Sequence, residues 1–418
     1  MRKMKDSGIE WIGEIPEGWE IGQIGQLYSE RRTKVSDKDY PPLSVTMKGI
    51  LPQLSTAAKT DAHDDRKLVC KGDFAINSRS DRRGSCGISE QDGSISLINT
   101  VLQPRGEMNP GYYNWLFHTS MFADEFYKWG HGIVDDLWTT GWSDMKKIGV
   151  PVPSKCEQKQ LAEHLNVECS HIDSILSKTR ASIEEYKKLK QAIITQAVTK
   201  GVRGEREMKD SGVEWIGEIP VDWEISRIKY VSIFEPSCDF RKLTPETVIT
   251  YSPMECIKNG TFERRTSLYG NLAHTLTPFQ NGDIVMAKVT PCFENGNIAI
   301  MNELQSGYGL GSSELFVFRP QNINTRYLFY WLQNKLFVHQ ACATMTGTGG
   351  LKRISPSFVK NCNIHYPSTA EQAQIAAYLD TKCAEIDGLI AKKEQLVKEL
   401  EGYKKSLIYE VVTGKREV

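Results

Sequence analysis

The sequence has no apolar run long enough to cross a membrane, and its first residues, MRKMKDSGIEW, lack the apolar core of a signal peptide. We therefore expect a cytoplasmic protein. No charge of either sign is in excess, because 52 Lys and Arg residues balance 52 Asp and Glu residues. This balance excludes a uniformly basic nucleic-acid binder, although it leaves room for local basic clusters.

The ten cysteines are scattered singly, with no CxxC motif and no closely spaced Cys/His set. Neither a zinc site nor a disulfide framework is indicated, and we expect reduced, mostly buried thiols. The sequence also lacks a GxxxxGK[ST] loop, an HExxH motif, a GxSxG elbow and a GxGxxG between a strand and a helix. We therefore expect neither a catalytic residue nor a metal site in this chain.

Two short stretches have a superficial likeness to catalytic motifs. Residues 109–112, Asn-Pro-Gly-Tyr, are similar to the NPPY of adenine methyltransferases, but Gly111 replaces the second proline and no cofactor glycine loop precedes it. A turn at the start of a helix is the better interpretation. Residues 84–87, Gly-Ser-Cys-Gly, suggest a thiol nucleophile, yet no histidine lies in a motif that would mark it as the base.

What the sequence does contain is an internal duplication. Residues 4–21 return as residues 208–225 with 15 of 18 positions identical, at an offset of 204. Residues 157–199 return without a gap as residues 371–413, at an offset of 214, with 14 of 43 positions identical. The chain therefore consists of two repeats of about 205 residues, each running from the opening block to a long helix, and the second holds ten more residues in its middle.

Residues 157–199 and 371–413 are predicted to form long amphipathic helices, because apolar residues recur at the three-and-four spacing of one helical face. Each helix would span ~60 Å and is interrupted by poor helix formers, so each needs a partner; we predict that the two pack against each other and set a distance. The residues predicted to form the packed seam are Leu165, Ile172, Ile175, Leu189, Ile193, Leu379, Ile386, Leu389, Leu396, Leu400 and Leu407.

Between these matched ends the repeats diverge and read as short strands separated by Gly, Asn and Pro. Predicted strands cover residues 73–76, 94–102, 283–289, 297–301 and 314–318. One shorter amphipathic helix is predicted in each repeat, at residues 112–129 and 325–344. A polar loop then follows, at residues 130–136 and 347–353.

Local basic and polar clusters occur within the divergent middles. In each repeat a cluster follows a strand that begins with Gly-Asp, at residues 72–73 and 282–283. Arg and Lys serve phosphates and the guanine edge, and Asn serves adenine, so we predict one DNA-reading loop per repeat; for either cluster alone a solvated surface loop is the alternative. The candidate DNA-binding residues are Arg31, Arg32, Asn77, Arg79, Arg82, Arg83, Lys288, Thr290, Lys352 and Arg353.

Taken together, these features resemble the specificity subunit of a Type I restriction-modification system. The resemblance extends over essentially the full length. It rests on the duplicated Gly-Ile/Val-Glu-Trp-Ile-Gly-Glu-Ile-Pro block at residues 8–16 and 212–220, the Gly-Asp strands, the Glu-Gln pairs at residues 157–158 and 371–372, and the two long helices.

The resemblance implies an α+β fold in which two β-rich mixed target-recognition domains are separated by a pair of long antiparallel coiled-coil spacer helices. It implies a non-catalytic subunit that reads a bipartite target in double-stranded DNA. The expected partners are two adenine methyltransferase subunits, which hold S-adenosylmethionine, and restriction/translocase subunits, which use ATP and Mg. No cofactor is expected in this chain.

We place target-recognition domain 1 at residues 1–152, spacer helix 1 with its linker at 153–203, target-recognition domain 2 at 204–366 and spacer helix 2 at 367–418. Two other functions stay open. One is a non-DNA scaffold of tandem β-rich modules on a coiled coil, and the other is a nucleic-acid-modifying enzyme. The target half-sequences are not readable from the sequence.

Overall fold

The computed structural model describes residues 2–53, 64–79, 83–106, 108–133, 138–258, 260–273, 275–348 and 350–418. The chain divides into two compact units: unit 1 is residues 1–180 with 394–418, and unit 2 is residues 181–393. The division falls within the long helices, so each unit includes part of both and differs from the predicted boundaries. Among the described residues, no helix is both long and apolar enough to cross a membrane.

The first half of the chain begins with short strands and ends in a long helix. Its strands are β1 (Met4–Asp6), β2 (Glu14–Pro16), β3 (Glu20–Gln23), β4 (Tyr28–Glu30), β5 (Lys34–Val35), β6 (Leu43–Thr46), β7 (Gly49–Pro52), β8 (Arg66–Val69), β9 (Phe74–Asn77), β10 (Cys86–Ile88), β11 (Gly93–Ile95), β12 (Asn99–Pro104) and β13 (Gly149–Val152). Its helices are α1 (Ile24–Leu27), α2 (Pro110–Phe117), α3 (Ser120–Lys128), α4 (Trp142–Met145) and the long α5 (Lys155–Lys200).

The second half repeats this order. Its strands are β14 (Met208–Asp210), β15 (Glu218–Pro220), β16 (Glu224–Arg227), β17 (Ser232–Phe234), β18 (Val248–Ser252), β19 (Ile257–Lys258), β20 (Thr261–Phe262), β21 (Arg265–Leu268), β22 (Thr277–Gln280), β23 (Ile284–Ala287), β24 (Ile298–Ile300), β25 (Tyr308–Gly311), β26 (Leu315–Pro320) and β27 (Asn363–Tyr366). Its helices are α6 (Ile228–Val231), α7 (Thr325–Trp331), α8 (Lys335–Ala343), α9 (Pro356–Asn361) and the long α10 (Thr369–Val412).

Each unit is built on an antiparallel four-stranded sheet with the same strand order. In unit 1 the order is β10-β9-β12-β4, and in unit 2 it is β24-β23-β26-β17. The central strands β9 and β23 are buried along their whole length, which explains why they read as continuous apolar runs rather than alternating ones. The predicted α+β class is confirmed.

The second sheet of each unit differs. Unit 1 has the three-stranded sheet β11-β8-β5, whereas unit 2 has the four-stranded sheet β21-β18-β25-β22, in which β18 and β25 are parallel. The predicted single strand at residues 94–102 is wrong, because it is two strands, β11 and β12. A turn separates them, where the Asn99 amide N–H donates to the Ser96 carbonyl at 3.1 Å.

The repeated opening block forms the same small hairpin twice, β1-β2 and β14-β15. Its tryptophans Trp19 and Trp223 are among the largest fully buried side chains of the molecule. Strands β3 and β16 then pair with β13 and β27, the strands that lead into the long helices. Burial explains why its core residues are identical in the two copies, since core positions tolerate few substitutions, whereas most of the other identical positions are exposed.

The predicted single helix in each middle is wrong: two short helices replace it in both units. In unit 1 the Thr119 side chain accepts the Phe122 N–H and starts α3 anew, and in unit 2 the Asn334 side chain does the same for α8. Thr and Asn are strong N-cap residues, so each interrupts a pattern that periodicity alone would continue. Asn109 caps α2 in the same way, as expected for a turn at the start of a helix.

The long helices begin and end within two residues of the predicted ends. The structure buries some of the predicted seam residues; these are Leu165, Ile172, Leu379, Ile386 and Leu407. Others lie half-buried against the core of their unit, namely Ile193 and Leu400. For the remaining residues the prediction of a packed position is wrong, because their side chains are 41–47% exposed; these are Ile175, Leu189, Leu389 and Leu396.

At three of these four positions, the predicted inward-facing residue is one position too early in the sequence. Ile175, Leu389 and Leu396 are each followed by another apolar residue that is more buried: Leu176, Ile390 and Val397, respectively. One residue turns a side chain by ~100° around the helix, so the sequence period could not decide which member of each pair faces inward. At Leu189 the next residue is Lys190, whose side chain is only 18% exposed.

Within unit 1, α5 and α10 run antiparallel: Asp173 meets Lys404, and Arg180 meets Glu401. The same ion pair forms again within unit 2, where Lys190 meets Asp387 at 2.6 Å. Asp173 and Asp387 are equivalent in the repeat, and so are Lys190 and Lys404, because both pairs are 214 residues apart. Each helix therefore gives the aspartate in one unit and the lysine in the other.

Candidate nucleic-acid interface

The predicted reading loops begin with a Gly-Asp turn in each unit. Gly72 and Gly282 have φ values of +89° and +88°, a left-handed conformation that favours glycine. The aspartates that follow are buried, and each carboxylate accepts a backbone N–H three residues earlier in the chain. Asp73 accepts the N–H of Cys70 at 2.9 Å, and Asp283 accepts that of Gln280 at 2.8 Å.

Each buried aspartate also pairs with an arginine. Arg31 donates from Nε to Asp73 at 2.6 Å, and Arg319 donates from Nε and Nη2 to Asp283 at 2.8 Å. The hydrogen bond to Asp73 raises the pKa of Arg31, whose side chain is only 19% exposed. Arg31 is thus held inside unit 1 by a structural pair, and we leave it out of the proposed interface.

Beyond the central strand, each unit brings together two segments that are distant in sequence; we call this place the junction. In unit 1 the Thr140 N–H donates to the Ser78 carbonyl at 2.9 Å, and Arg79 forms a β-bridge with Thr139. In unit 2 the Ile354 N–H donates to the Lys288 carbonyl at 2.9 Å, and Val289 forms a β-bridge with Arg353. The junction has the same backbone arrangement in both units.

The unit 1 junction positions most of its predicted residues. Asn77 is buried and its side-chain oxygen accepts the N–H of Arg79 at 3.0 Å, so it shapes the loop from inside. Arg79 is exposed. Arg83 lies 3.9 Å over the Tyr127 ring and donates to Asp124 at 3.2 Å.

Arg32 takes no part in the described contacts of this junction. Arg32 is exposed and donates to Glu30 at 2.7 Å, two residues away in its own segment. Arg82 lies outside the described residues.

The unit 2 junction joins both predicted loops of the second repeat. The Thr290 hydroxyl donates to the Gly350 carbonyl at 2.9 Å and accepts the Lys352 N–H at 2.9 Å, so it ties the two segments together. The Lys288 ammonium lies 5.5 Å from the centre of the Phe316 ring. Lys352 is exposed.

Arg353 is held more firmly than the other predicted arginines that remain exposed. It donates from Nε and Nη2 to the two carboxylate oxygens of Glu314, at 2.8 Å and 2.7 Å. The hydrogen bond from Arg353 lowers the pKa of Glu314, with a further contribution from the charge of Lys288. Glu314 is therefore ionised at neutral pH, between two cations.

The candidate site therefore differs from the sequence-based prediction in two ways. The predicted clusters at residues 288–290 and 352–353 meet in space, although some sixty residues separate them. Sequence reasoning missed Thr139 and Glu314 as members of the junctions. The only signal for Glu314 was an acidic residue at the first position of the predicted strand 314–318, and its partner lies 39 residues away.

Within the described part of both junctions, no nucleophilic or metal-binding site is assembled. Cys86 is fully buried, which raises the pKa of its thiol far above the usual range and makes it a poor nucleophile. Among the described residues, no group of three His, Cys, Asp or Glu side chains could hold a metal ion. What the junctions offer is exposed cations on a fixed backbone.

Comparison with known proteins points to one family. Residues 220–399 match the Type I restriction modification DNA specificity domain. The chain is 24% identical to the Type I restriction enzyme MjaVIII specificity subunit of Methanocaldococcus jannaschii, over 96% of this chain and 93% of that protein. The resemblance inferred from the sequence is thereby confirmed.

Two further matches differ in extent. The Type I restriction enzyme EcoEI specificity subunit of Escherichia coli is 32% identical over 163 residues, which are 38% of this chain and 27% of that protein. The chain thus spans only about a quarter of that relative's length. A solved structure described as the structural basis of complex assembly and conformational transition of the type I R-M system shares the fold, with a TM-score of 0.71 at 12% identity over 95% of this chain and 98% of that chain.

Proposed function

We propose that this chain, a relative of type I restriction-modification specificity subunits along almost its whole length, recognises a bipartite sequence in double-stranded DNA, with one half read by each unit. The observation that carries the proposal is the junction, because the same backbone arrangement occurs in both units with different exposed side chains. Two copies of one framework that present different side chains are suited to reading two different sequences.

The side chains at the junctions support this function chemically. Arg79, Arg83, Lys288, Lys352 and Arg353 supply the cations that meet phosphates or the guanine edge. They belong to a chain whose formal net charge is zero. Their concentration on two loops therefore gives local rather than general attraction for DNA, which favours reading at defined places.

We also propose that the chain is a non-catalytic subunit that directs partners to the site. Two adenine methyltransferase subunits with S-adenosylmethionine, and restriction/translocase subunits with ATP and Mg, are the partners that the family resemblance implies. The family match and the likeness to a chain of a type I R-M assembly support this role.

An exchange of segments tests the proposal. Gly22 and Val150 face each other in strands β3 and β13, so residues 22–150 leave and rejoin unit 1 at one place. Replacing this segment with the equivalent one of another specificity subunit should change one half of the recognised sequence and leave the other unchanged. Mapping modified adenines across the genome of cells that carry the exchanged chain measures both halves at once.

The matched control exchanges the corresponding segment of unit 2, residues 226–364, whose ends Ser226 and Ile364 also face each other. This exchange should change only the other half. A folded exchange mutant in which both halves change, or neither, contradicts modular reading. If the unaltered chain does not bind duplex DNA with an affinity that falls steeply as the salt concentration rises, the result would instead favour a scaffold that does not bind DNA.

A further inference from the structure

The two junctions differ in where they place an arginine. In unit 1 the β-bridge joins Arg79 to Thr139, and in unit 2 it joins Val289 to Arg353. Since the hydrogen bonds of Thr140 and Ile354 place these bridges at equivalent positions, the arginine lies on one segment in unit 1 and on the facing segment in unit 2.

The hydrogen bonds of Arg353 leave one side of its guanidinium group unused by Glu314. Nε and one Nη2 hydrogen face the carboxylate of Glu314, at 2.8 Å and 2.7 Å. The adjacent edge, made by Nη1 and the second Nη2 hydrogen, can donate two parallel hydrogen bonds. This edge matches the O6 and N7 acceptors of guanine in the major groove. The side chain is 49% exposed, so a ligand can approach it.

Glu314 is placed to hold this orientation. It directly precedes β26, its N–H donates to the Ser312 hydroxyl at 3.2 Å, and its carbonyl accepts the Lys288 N–H at 3.0 Å. Its backbone is therefore fixed on both sides. A guanidinium bound at two points to a fixed carboxylate loses little further freedom when it meets a base, which favours recognition.

A surface ion pair without function is the simpler interpretation, and unit 2 has such a pair for comparison. Arg265 donates from Nε and Nη2 to Glu263 at 2.9 Å and 3.1 Å, but these two residues are neighbours in one segment. Its Nη1 also donates to Glu255 at 3.4 Å, so this arginine uses the edge that Arg353 leaves open. Arg353 and Glu314 instead connect segments 39 residues apart, at the place where the backbone of the two units is the same and the side chains differ.

We propose that Arg353 reads a guanine in the half-sequence recognised by unit 2, and that Glu314 is the positioning residue that orients it. The inference rests on the proposed function and names one base contact within it. Lysine cannot replace Arg353 here, because an ammonium group does not present two parallel donors.

The test selects bound duplexes from a library of random sequence, using the full-length chain purified with the subunits that remain bound to it. The unaltered chain should enrich a bipartite sequence with a guanine in the unit 2 half. In R353K the preference for that guanine should fall by about 5-fold to 150-fold, as expected for the loss of one bidentate pair. In E314Q it should fall less, since Gln keeps one acceptor oxygen. Every other position should be unchanged.

The controls are R265K and E263Q, which alter a pair with the same Nε and Nη2 hydrogen bonds in the same unit, and whose arginine has a similar exposure, 44% against 49%. They should leave the whole enriched sequence as it is. If a folded R353K variant enriches the same sequence with the same preference, the inference is wrong and the proposed function stands. If the unaltered chain enriches no sequence, the proposed function and the inference fail together. A fall in affinity without any change of preferred base would assign Arg353 to a phosphate and also overturn the inference.

Discussion

The two units solve the same electrostatic problem with different residues. Both bury an aspartate after a left-handed glycine, and both neutralise it with an arginine. In unit 1 that arginine, Arg31, directly follows β4, whereas in unit 2 Arg319 lies within β26. The buried charge has persisted while its partner has changed strand. A requirement set by burial therefore outlasts the particular residue that meets it.

Substitution of each arginine tests whether the two buried aspartates depend on their partners to the same degree. In R319M the Asp283 carboxylate, 1% exposed, loses its charged partner, and we expect unit 2 to lose about 3–5 kcal/mol of stability. R31M should cost unit 1 a similar amount, because Asp73 is only 4% exposed. Native-state hydrogen exchange in β23 and β9 measures the two units separately, which a single unfolding curve does not.

The control is the double variant D283N/R319M, which removes both charges and should recover part of the loss. Unchanged exchange protection of β23 in R319M would show that Asp283 does not depend on its arginine. A large effect in only one unit would show that the two pairs are not equivalent.

A second difference between the units predicts different responses to acid. His365 in β27 is fully buried, stacks on Trp223 with ring centres 5.9 Å apart, and has its pKa lowered by burial to about 4. Its equivalent in unit 1 is Pro151, which cannot titrate. An unfolded histidine has a pKa of about 6.5, so between these values only the unfolded state binds the proton. His365 should therefore lower the stability of unit 2 by about 3 kcal/mol as pH drops from about 6.5 to about 4, and Pro151 makes no such contribution in unit 1.

The variant H365F isolates this contribution, because carboxylates elsewhere titrate in both proteins. The difference in hydrogen-exchange stability of unit 2 between H365F and the unaltered chain should change with pH across this window. For unit 1 the difference should stay constant. A pH-independent difference in unit 2 would contradict protonation of His365 as the cause.

The smallest expected effect concerns the repeated ion pair of the long helices. Double-mutant cycles on Asp173 with Lys404, and on Asp387 with Lys190, should each give a coupling of about 0.2–1 kcal/mol, because the aspartates are more than half exposed. The two couplings should be equal and should weaken in high salt. If only one unit shows a coupling, the two repeats share the residues of this ion pair but not its contribution to stability.

Sequence reasoning succeeded where a pattern is long and repeated. The ends of α5 and α10 were predicted within two residues, since the duplicated block fixes them. It failed where a single residue determines where a helix starts or which side chain faces the core. Thr119 and Asn334 restart helices that periodicity would continue, and the adjacent apolar pairs at Ile175, Leu389 and Leu396 hid which residue faces inward.

The candidate site was predicted in its parts but not in its assembly. The positions of the basic loops after the Gly-Asp turns were visible in the sequence. Arg353 pairs with Glu314, 39 residues away, and Arg31 pairs with the buried Asp73, 42 residues away. Such pairings arise from strand order in the sheets, which the local pattern of residues does not encode.

The composition of unit 1 has a consequence for the newly made chain. Its core is closed by the last part of the sequence: the Tyr112 hydroxyl donates to the Val412 carbonyl at 2.6 Å, and the Lys415 ammonium donates to the Ile12 carbonyl at 2.8 Å. Unit 2, in contrast, is one continuous stretch, residues 181–393. On the ribosome, unit 2 has all its residues before residues 394–418 are translated. The half of the protein whose synthesis begins first is therefore the half that receives its last residues after the other half is complete.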